Sequence, residues 1–381
     1  MKPKKVFLKR NEKFGVVTIM RGFMESGTKN IIIAASGTGG HIYPGIALAL
    51  ELKNEGFNPV FFVSSNEACA QIMKRSGFEY VLFNLSGMPR RVTPVFIIFL
   101  IKLAASFFKA LYGILKLKPF AVVGMGGYVS VPAILAAWVL RKKTYIHEQN
   151  AIPGKANKIL NGFAGATFIS FKYSAKFFKK QNIVLSGYPV RREIFDVSKE
   201  LACRELGIKR GIFTILVFGG SLGAAKLNET AFKAFYQQAQ KGDVQILHIA
   251  GAKNYSKMKD AAKDVNNYKV FSYMHDMKYV YGASDAVICR SGAGTVFELK
   301  ALNKPAVLIP YPYAAENHQL YNAKELSGAL IIEEKDLTPE KLNAAARSLK
   351  QLRPVSDIEN RHAVLPQEIM AKLIKDSRGK D

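Results

Sequence analysis

Two stretches of this chain open in the same way: an apolar run, a glycine-rich loop, then apolar residues at helical spacing. The first is Asn30-Ile-Ile-Ile-Ala-Ala35, then Ser36-Gly-Thr-Gly-Gly-His41, then a helix expected over residues 44–55 with Ile46, Leu48, Ala49 and Leu52 along one face. The second is an apolar run over residues 213–218, then Gly219-Gly-Ser-Leu-Gly223, then a helix from Ala224. A short run that is apolar throughout needs both of its faces covered, and strand–loop–helix repeats leave successive strands parallel. Further strands are expected near residues 59–64, 79–83, 120–123, 144–146 and 183–185, with a helix near 67–75, and strand–helix pairs continue to about residue 349. The expectation is an α/β chain of two Rossmann-like halves with parallel sheets.

At 381 residues the chain also exceeds the roughly 100–200 residues that one domain ordinarily holds. Gly187-Tyr-Pro189, after the run 183–185, marks the break. This divides the chain into residues 30–187, residues 188–358 and a closing segment, 359–381, in which residues 364–374 read as a helix returning to the first half. Residues 1–29 are basic, without the apolar core and small-residue cleavage site of a secretory signal, and read as a disordered extension for which Met24 is an alternative start.

The formal charge of +26 points to an anionic partner. Zinc-ligand spacings, RNA-binding aromatic signatures and helix-turn-helix patterns are all missing, which sets nucleic acid aside and keeps anionic lipid and phosphate-bearing substrates. Cys69, Cys203 and Cys289 are odd in number and far apart, as in a reducing compartment without disulfides.

In open parallel sheets ligands sit beyond the carboxyl ends of the strands, so the glycine-rich loops after Ala35, Val123, Phe218 and Cys289 are expected to face one cleft. Glycine lets the backbone approach a ligand, and the helix that follows offers unpaired N–H groups to phosphate; the plainer reading of each loop is a tight turn. No Gly-Lys-Ser/Thr follows the first loop and its glycines do not match the dinucleotide fingerprint, so nucleotide hydrolysis and hydride transfer lose ground. His41, where the loop enters its helix, is placed to take a proton from a sugar hydroxyl near neutral pH, or else to cap or pack beneath the loop. His147-Glu-Gln-Asn150 is a dense polar run after a strand, suited to sugar hydroxyls or to the support of His41, or to a turn network. In Arg290-Ser-Gly-Ala-Gly-Thr-Val-Phe-Glu298 the carboxylate is expected in the first turn of a helix, where it would accept from a ribose diol or close a Thr295–Glu298 capping box. Asn317, His318 and Gln319 occupy another strand-to-helix junction suited to sugar hydroxyls.

Taken in order, Gly37-Thr-Gly-Gly-His-Ile-Tyr-Pro-Gly45, Gly124-Met-Gly-Gly-Tyr-Val-Ser130, His147-Glu-Gln-Asn150, Gly219-Gly-Ser-Leu-Gly-Ala224 and Arg290-Ser-Gly-Ala-Gly-Thr295 resemble the MurG family of UDP-N-acetylglucosamine:undecaprenyl-pyrophosphoryl-muramyl-peptide transferases. The resemblance runs from about Asn30 to the C terminus. It implies a GT-B fold, with the acceptor mainly on the N-terminal half and UDP-N-acetylglucosamine (UDP-GlcNAc) mainly on the C-terminal half. It further implies inverting transfer with no cofactor and no bound metal, in which His41 deprotonates the acceptor's C4 hydroxyl and a β-1,4 linkage results. For the donor it implies Thr38, Gly39 and Gly40 near the sugar and diphosphate, Asn150 on the sugar, Ser221 on the diphosphate and Arg191 in the pocket. Met274 corresponds to the position whose backbone reads uracil; Ala293, Gly294, Thr295, Val296, Phe297 and Glu298 hold nucleotide and ribose; and Gln319 matches a sugar-binding glutamine. Gly126, Gly127, Tyr128 and Glu148 are the acceptor candidates. Leu222 and Tyr188 depart from a frequent Gln and a frequent Asn. The alternatives are a GT-B transferase with another lipid-linked or soluble acceptor, and a catalytically silent nucleotide-sugar binder.

Residues 95–116 are the most hydrophobic stretch, flanked by Arg90, Arg91 and Lys118 and interrupted by Lys102 and Lys109. A strand must follow at once, so a buried or interfacial helix is expected rather than a span. With the resemblance, this implies a peripheral enzyme on the cytoplasmic face of the bacterial plasma membrane, with the lipid-linked acceptor, anionic lipid and other wall-synthesis proteins as partners.

Overall fold

The computed structural model describes residues 10–11, 16–17, 29–37, 39–85, 87, 89, 94–179, 182–220, 223–351 and 365–377. In the expected N-terminal extension β1 (Arg10–Asn11) and β2 (Val16–Val17) form a short antiparallel pair, and the rest of that extension up to residue 28 lies outside the described residues. The chain forms two compact units: residues 1–190 with 364–381, and residues 191–363.

The first unit begins with β3 (Lys29–Ala35), α1 (Gly39–Asn54), β4 (Phe57–Ser64), α2 (Glu67–Ser76), β5 (Glu79–Phe83) and α3 (Pro94–Leu117). It continues through β6 (Ala121–Gly124), α4 (Ser130–Val139), β7 (Lys143–Glu148), α5 (Lys155–Leu160), β8 (Ala166–Ile169) and β9 (Ile183–Leu185). All seven strands β3–β9 are parallel, in the order β5-β4-β3-β6-β7-β8-β9. β3 is buried from Asn30 to Ala35 because helices cover both faces of the sheet: Ile31, Ile33 and Ala35 enter one apolar cluster with α1 and α2, and Ile32 and Ala34 enter another with α3, α4 and α5.

Three boundaries differ from expectation. The helix after the first glycine loop starts at Gly39 rather than at residue 44, so Pro44 sits inside it. A proline there supplies no N–H to the carbonyl four residues back. That carbonyl, of Gly40, accepts instead from the Tyr188 hydroxyl at 3.2 Å. β7 runs on through His147 and Glu148, which are strand residues and not loop residues, because their side chains are buried in a polar network described below. β6 lies one residue later than the apolar run suggested.

The second unit is built from α6 (Lys199–Leu206), β10 (Thr214–Phe218), α7 (Ala225–Lys241), β11 (Gln245–Ile249), α8 (Tyr255–Ala261) and β12 (Tyr268–Phe271). After these come α9 (Met277–Ala283), β13 (Ala286–Cys289), α10 (Ala293–Ala301), β14 (Ala306–Leu308), α11 (His318–Lys324), β15 (Leu330–Ile331) and α12 (Pro339–Gln351). Its six strands are parallel in the order β12-β11-β10-β13-β14-β15. The last helix, α13 (Pro366–Asp376), belongs to the first unit: Met370, Ala371 and Ile374 complete the cluster on α1, and Gln367 bonds both polar backbone atoms of Val190.

In both sheets the first strand is central and the chain winds outward to one side and then to the other, so the order reverses between β3 and β6 and between β10 and β13. Ligands of such sheets bind at that reversal, beyond the strands' carboxyl ends. Four glycine-rich loops stand there, two in each unit.

Candidate active site

In the first unit the two loops interlock. Met125 N donates to Ala34 O at 2.7 Å, and Ser36 Oγ accepts from Val129 N at 3.1 Å while the Ser130 hydroxyl reaches Ala34 O and Gly126 O, each at 2.9 Å. Gly126 and Gly127 have φ of +90° and +77°. A Cβ on Gly127 would overlap Ser36, and one on Gly126 would lie 2.8 Å from His41 Nδ1. These glycines therefore make room for the neighbouring loop and for His41, a role distinct from touching an acceptor. Tyr128 packs edge-on against Phe99 of α3 at 6.1 Å and is 37 % exposed. Thr38 lies outside the described residues; Gly39 and Gly40 form the first turn of α1 with His41.

His41 Nδ1 is 3.0 Å from Gln149 Oε1. The Gln149 amide nitrogen lies 2.7 Å from Met125 O and 3.0 Å from His147 Nδ1, and His147 Nε2 lies 3.0 Å from Gly187 O. His147 is fully buried, and burial pushes its pKa down to about 4, so the ring is neutral. Gln149 was not singled out from the sequence; its signal was its place within the polar run beside a histidine.

Glu148 is also buried, which raises its pKa, and both of its oxygens are occupied within the chain. Oε1 accepts from Asn150 N at 2.9 Å, and Oε2 accepts from Gly154 N at 3.1 Å and Asn157 Nδ2 at 2.8 Å. That geometry makes it the organiser of the loop carrying Asn150.

In the second unit Gly219, Gly220 and Gly223 frame a loop whose middle, Ser221 and Leu222, lies outside the described residues. Gly223, at φ +76°, is pressed against Ala250 O, which also accepts from Asn228 Nδ2 at 2.8 Å. The other face of Asn228 holds His248 Nε2 at 3.0 Å. After β13, Gly292 precedes α10 without any side-chain cap, so the N–H groups of Ala293, Gly294 and Thr295 point out of the helix at the reversal of strand order. Helix ends of this kind favour anions.

Glu298 lies in the second turn of α10 rather than the first, and no Thr295–Glu298 capping box forms, because the helix begins three residues earlier than the box requires. Its Oε2 accepts from the Tyr281 hydroxyl at 2.9 Å and its Oε1 from Arg191 Nη2 at 3.0 Å. Burial, reinforced by the Glu298 charge, raises the Tyr281 pKa well above its ordinary value, so it stays a donor. Val296 is buried and Phe297 half-buried on the same helix. Gln319 Oε1 accepts from Tyr311 N at 3.0 Å, and its carbonyl accepts from Ser291 Oγ at 2.8 Å, tying α11 to the loop after β13 and leaving the amide NH2 to donate outward. Met274 is half-buried in the segment between β12 and α9. Among the described residues no three His, Cys, Asp or Glu side chains come together as a metal site.

The glycosyltransferase family 28 N-terminal domain matches residues 31–169, and the family 28 C-terminal domain matches residues 214–375. A UDP-N-acetylglucosamine–N-acetylmuramyl-(pentapeptide) pyrophosphoryl-undecaprenol N-acetylglucosamine transferase of Elusimicrobium minutum is 39 % identical over 82 % of this chain and 88 % of its own length. The protein of that name from Citrifermentans bemidjiense is 38 % identical over 90 % of this chain and 97 % of its own. Among solved structures, Acinetobacter baumannii MurG superposes with a TM-score of 0.70 at 28 % identity, covering 91 % of this chain and 99 % of that one. A UDP-GlcNAc 2-epimerase from Neisseria meningitidis shares the fold, with a TM-score of 0.65 at 12 % identity over 92 % and 100 % of the two chains.

Proposed function

This chain belongs to the MurG family of GT-B glycosyltransferases, enzymes that move N-acetylglucosamine from UDP onto undecaprenyl-pyrophosphoryl-MurNAc-peptide (lipid I) to make lipid II, and from that premise we propose how its residues share the reaction. The second unit holds the donor. The uncapped start of α10 meets the diphosphate with the loop containing Ser221, Glu298 takes the ribose diol, the segment at Met274 reads the base, and Arg191 and Gln319 serve the donor pocket and sugar; Asn150, assigned to the sugar, is a residue of the first unit. Glu298 reaches the diol from its second-turn position only by sharing oxygens already engaged by Arg191 and Tyr281, which orient it.

The first unit supplies the base. His41 takes the proton from the C4 hydroxyl of the muramyl sugar as that oxygen bonds to the anomeric carbon of the donor, and the bond from that carbon to the diphosphate oxygen breaks on the opposite face. The electron pair leaves with UDP, whose charge is met by N–H groups and helix ends, and the configuration inverts. The observation that carries this reading is the position of His41, held in the first turn of α1 by a buried network at the strand-order reversal.

The test is transfer of labelled N-acetylglucosamine from its UDP donor to a short-chain lipid-linked muramyl-peptide, with chelator present. Wild type is expected to form product. His41→Ala should lose about 10²-fold or more in turnover with UDP affinity unchanged. Product from His41→Ala at the wild-type rate would remove His41 as base, and donor binding without product would point to another acceptor.

The lipid-linked acceptor also requires a membrane surface. α3 is long and apolar enough to cross a bilayer by length and composition, yet it lies along the sheet with only 17 % of its most apolar window buried. Val95, Ile97, Ile98, Ile101, Phe108 and Tyr112 are exposed, whereas Lys109 turns inward to donate to Leu82 O at 2.7 Å. We infer that this face lies in the headgroup region of an anionic leaflet on the cytoplasmic side, where each nearby Lys or Arg adds about 1 kcal/mol.

A further inference from the structure

We propose that Gln149 sets the tautomer of His41, accepting a hydrogen bond from its Nδ1–H and so keeping the lone pair on Nε2, the nitrogen that receives the acceptor's hydroxyl proton. The proposal rests on the reading of His41 as the base and adds a positioning residue to it.

The direction of every bond in this chain is forced by two backbone carbonyls, which can only accept. Met125 O lies 2.7 Å from the Gln149 amide nitrogen, and the opposite orientation of the amide would set oxygen against oxygen. At the far end Gly187 O lies 3.0 Å from His147 Nε2, so that nitrogen carries the hydrogen and His147 Nδ1 is left to accept. The second N–H of the Gln149 amide meets that acceptor at 3.0 Å. Both amide hydrogens are thus committed, and the one remaining role for Oε1, 3.0 Å from His41 Nδ1, is to accept. A neutral His41 therefore carries its hydrogen on Nδ1.

Two features keep this arrangement from switching. Gln149 is 2 % exposed and His147 fully buried, so water does not compete for these groups. His147 also stays neutral across the physiological range, so no second proton enters the chain to reverse it. An amide cannot take up the proton that His41 acquires, so the network orients the base without relaying its charge. Gly126 belongs to the same device: a Cβ there would stand 2.8 Å from His41 Nδ1 and 3.1 Å from Gln149 Oε1, crowding both ends of the bond from the side.

The experiment is a long-range nitrogen–proton NMR spectrum of the full-length protein labelled with ¹⁵N-histidine, at a pH where the His41 ring is neutral, with His41→Ala used to assign its signals. The expected result is a protonated Nδ1 and an unprotonated Nε2. Gln149→Met, which keeps the length and removes the acceptor, should mix the tautomers and lower kcat by about 10-fold, less than the loss in His41→Ala, while the KM for UDP-GlcNAc stays within about twofold. Purely structural damage would instead raise KM and lower the melting temperature together with kcat. Should Gln149→Met fail to fold, the wild-type spectrum decides alone: an unprotonated Nδ1 on His41 overturns the proposal. An active His41→Ala would overturn the reading of His41 as base, whereas the spectrum tests Gln149 separately.

Discussion

His41 and Glu298, the proposed base and the proposed ribose acceptor, are each held by neighbouring side chains. His41 leans on a neutral amide; Glu298 is gripped by Arg191 and Tyr281. Their losses should separate. Glu298→Ala takes one partner from Arg191 and one from the buried Tyr281 hydroxyl and removes the acceptor proposed for a ribose diol, so UDP affinity is expected to fall about 10- to 100-fold, the range of one or two charged hydrogen bonds. His41→Ala should leave that affinity untouched, and isothermal titration of UDP into both variants checks the division. Equal losses would contradict it. The run 147–150 was legible as a support for His41, though not which of its residues makes the bond, whereas nothing in the sequence pointed to Tyr281 and Tyr188, which come to Glu298 and Gly40 from positions 17 and 148 residues away.

At the scale of elements, the apolar runs were readable because a strand covered on both faces must be apolar throughout, as β3 is from Ile31 to Ala35. The end of β7 is not legible in the sequence because its last two residues are polar, and nothing local says that a buried network satisfies them. The start of α1 was misplaced for the opposite reason: Pro44 looks like a first-turn residue, whereas the hydroxyl of a distant tyrosine makes it tolerable inside the helix. The loop between β6 and α4 yields a sharp expectation. Gly126→Ala combines a positive φ with a clash at the His41–Gln149 bond, and should cut turnover ~10²-fold, the scale of an ångström-size displacement of a catalytic group. Steady-state kinetics beside a UDP titration would show kcat falling alone. For α3, Ile98→Asp combined with Ile101→Asp places two charges on an exposed apolar face, where they should cost little stability but weaken binding to anionic vesicles at least about tenfold. Co-sedimentation with vesicles of anionic lipid checks the binding.

For the molecule as a whole, each unit buries one neutral histidine among its described residues, His147 in the first and His248 in the second, and burial holds both pKa values at about 4 against an ordinary 6.5. The unfolded chain takes up these protons near pH 6.5 and the folded chain only near pH 4, so across that window the unfolded state binds more protons and stability falls as pH falls. Each site loses up to about 3 kcal/mol by pH 4 and no more below it. Urea unfolding at pH 7.5 and at pH 5 should show the loss in both units, and His248→Gln should remove most of it from the second; an unchanged midpoint between the two pH values would count against this account. The placement of α13 bears on how the protein is made. Its residues Met370, Ala371 and Ile374 finish the apolar cluster over α1, yet they are synthesised after the whole second unit. A nascent first unit therefore emerges from the ribosome with that groove uncovered, and the interval until the last turn of α13 appears is the period in which a chaperone, or a neighbouring nascent chain, finds it open.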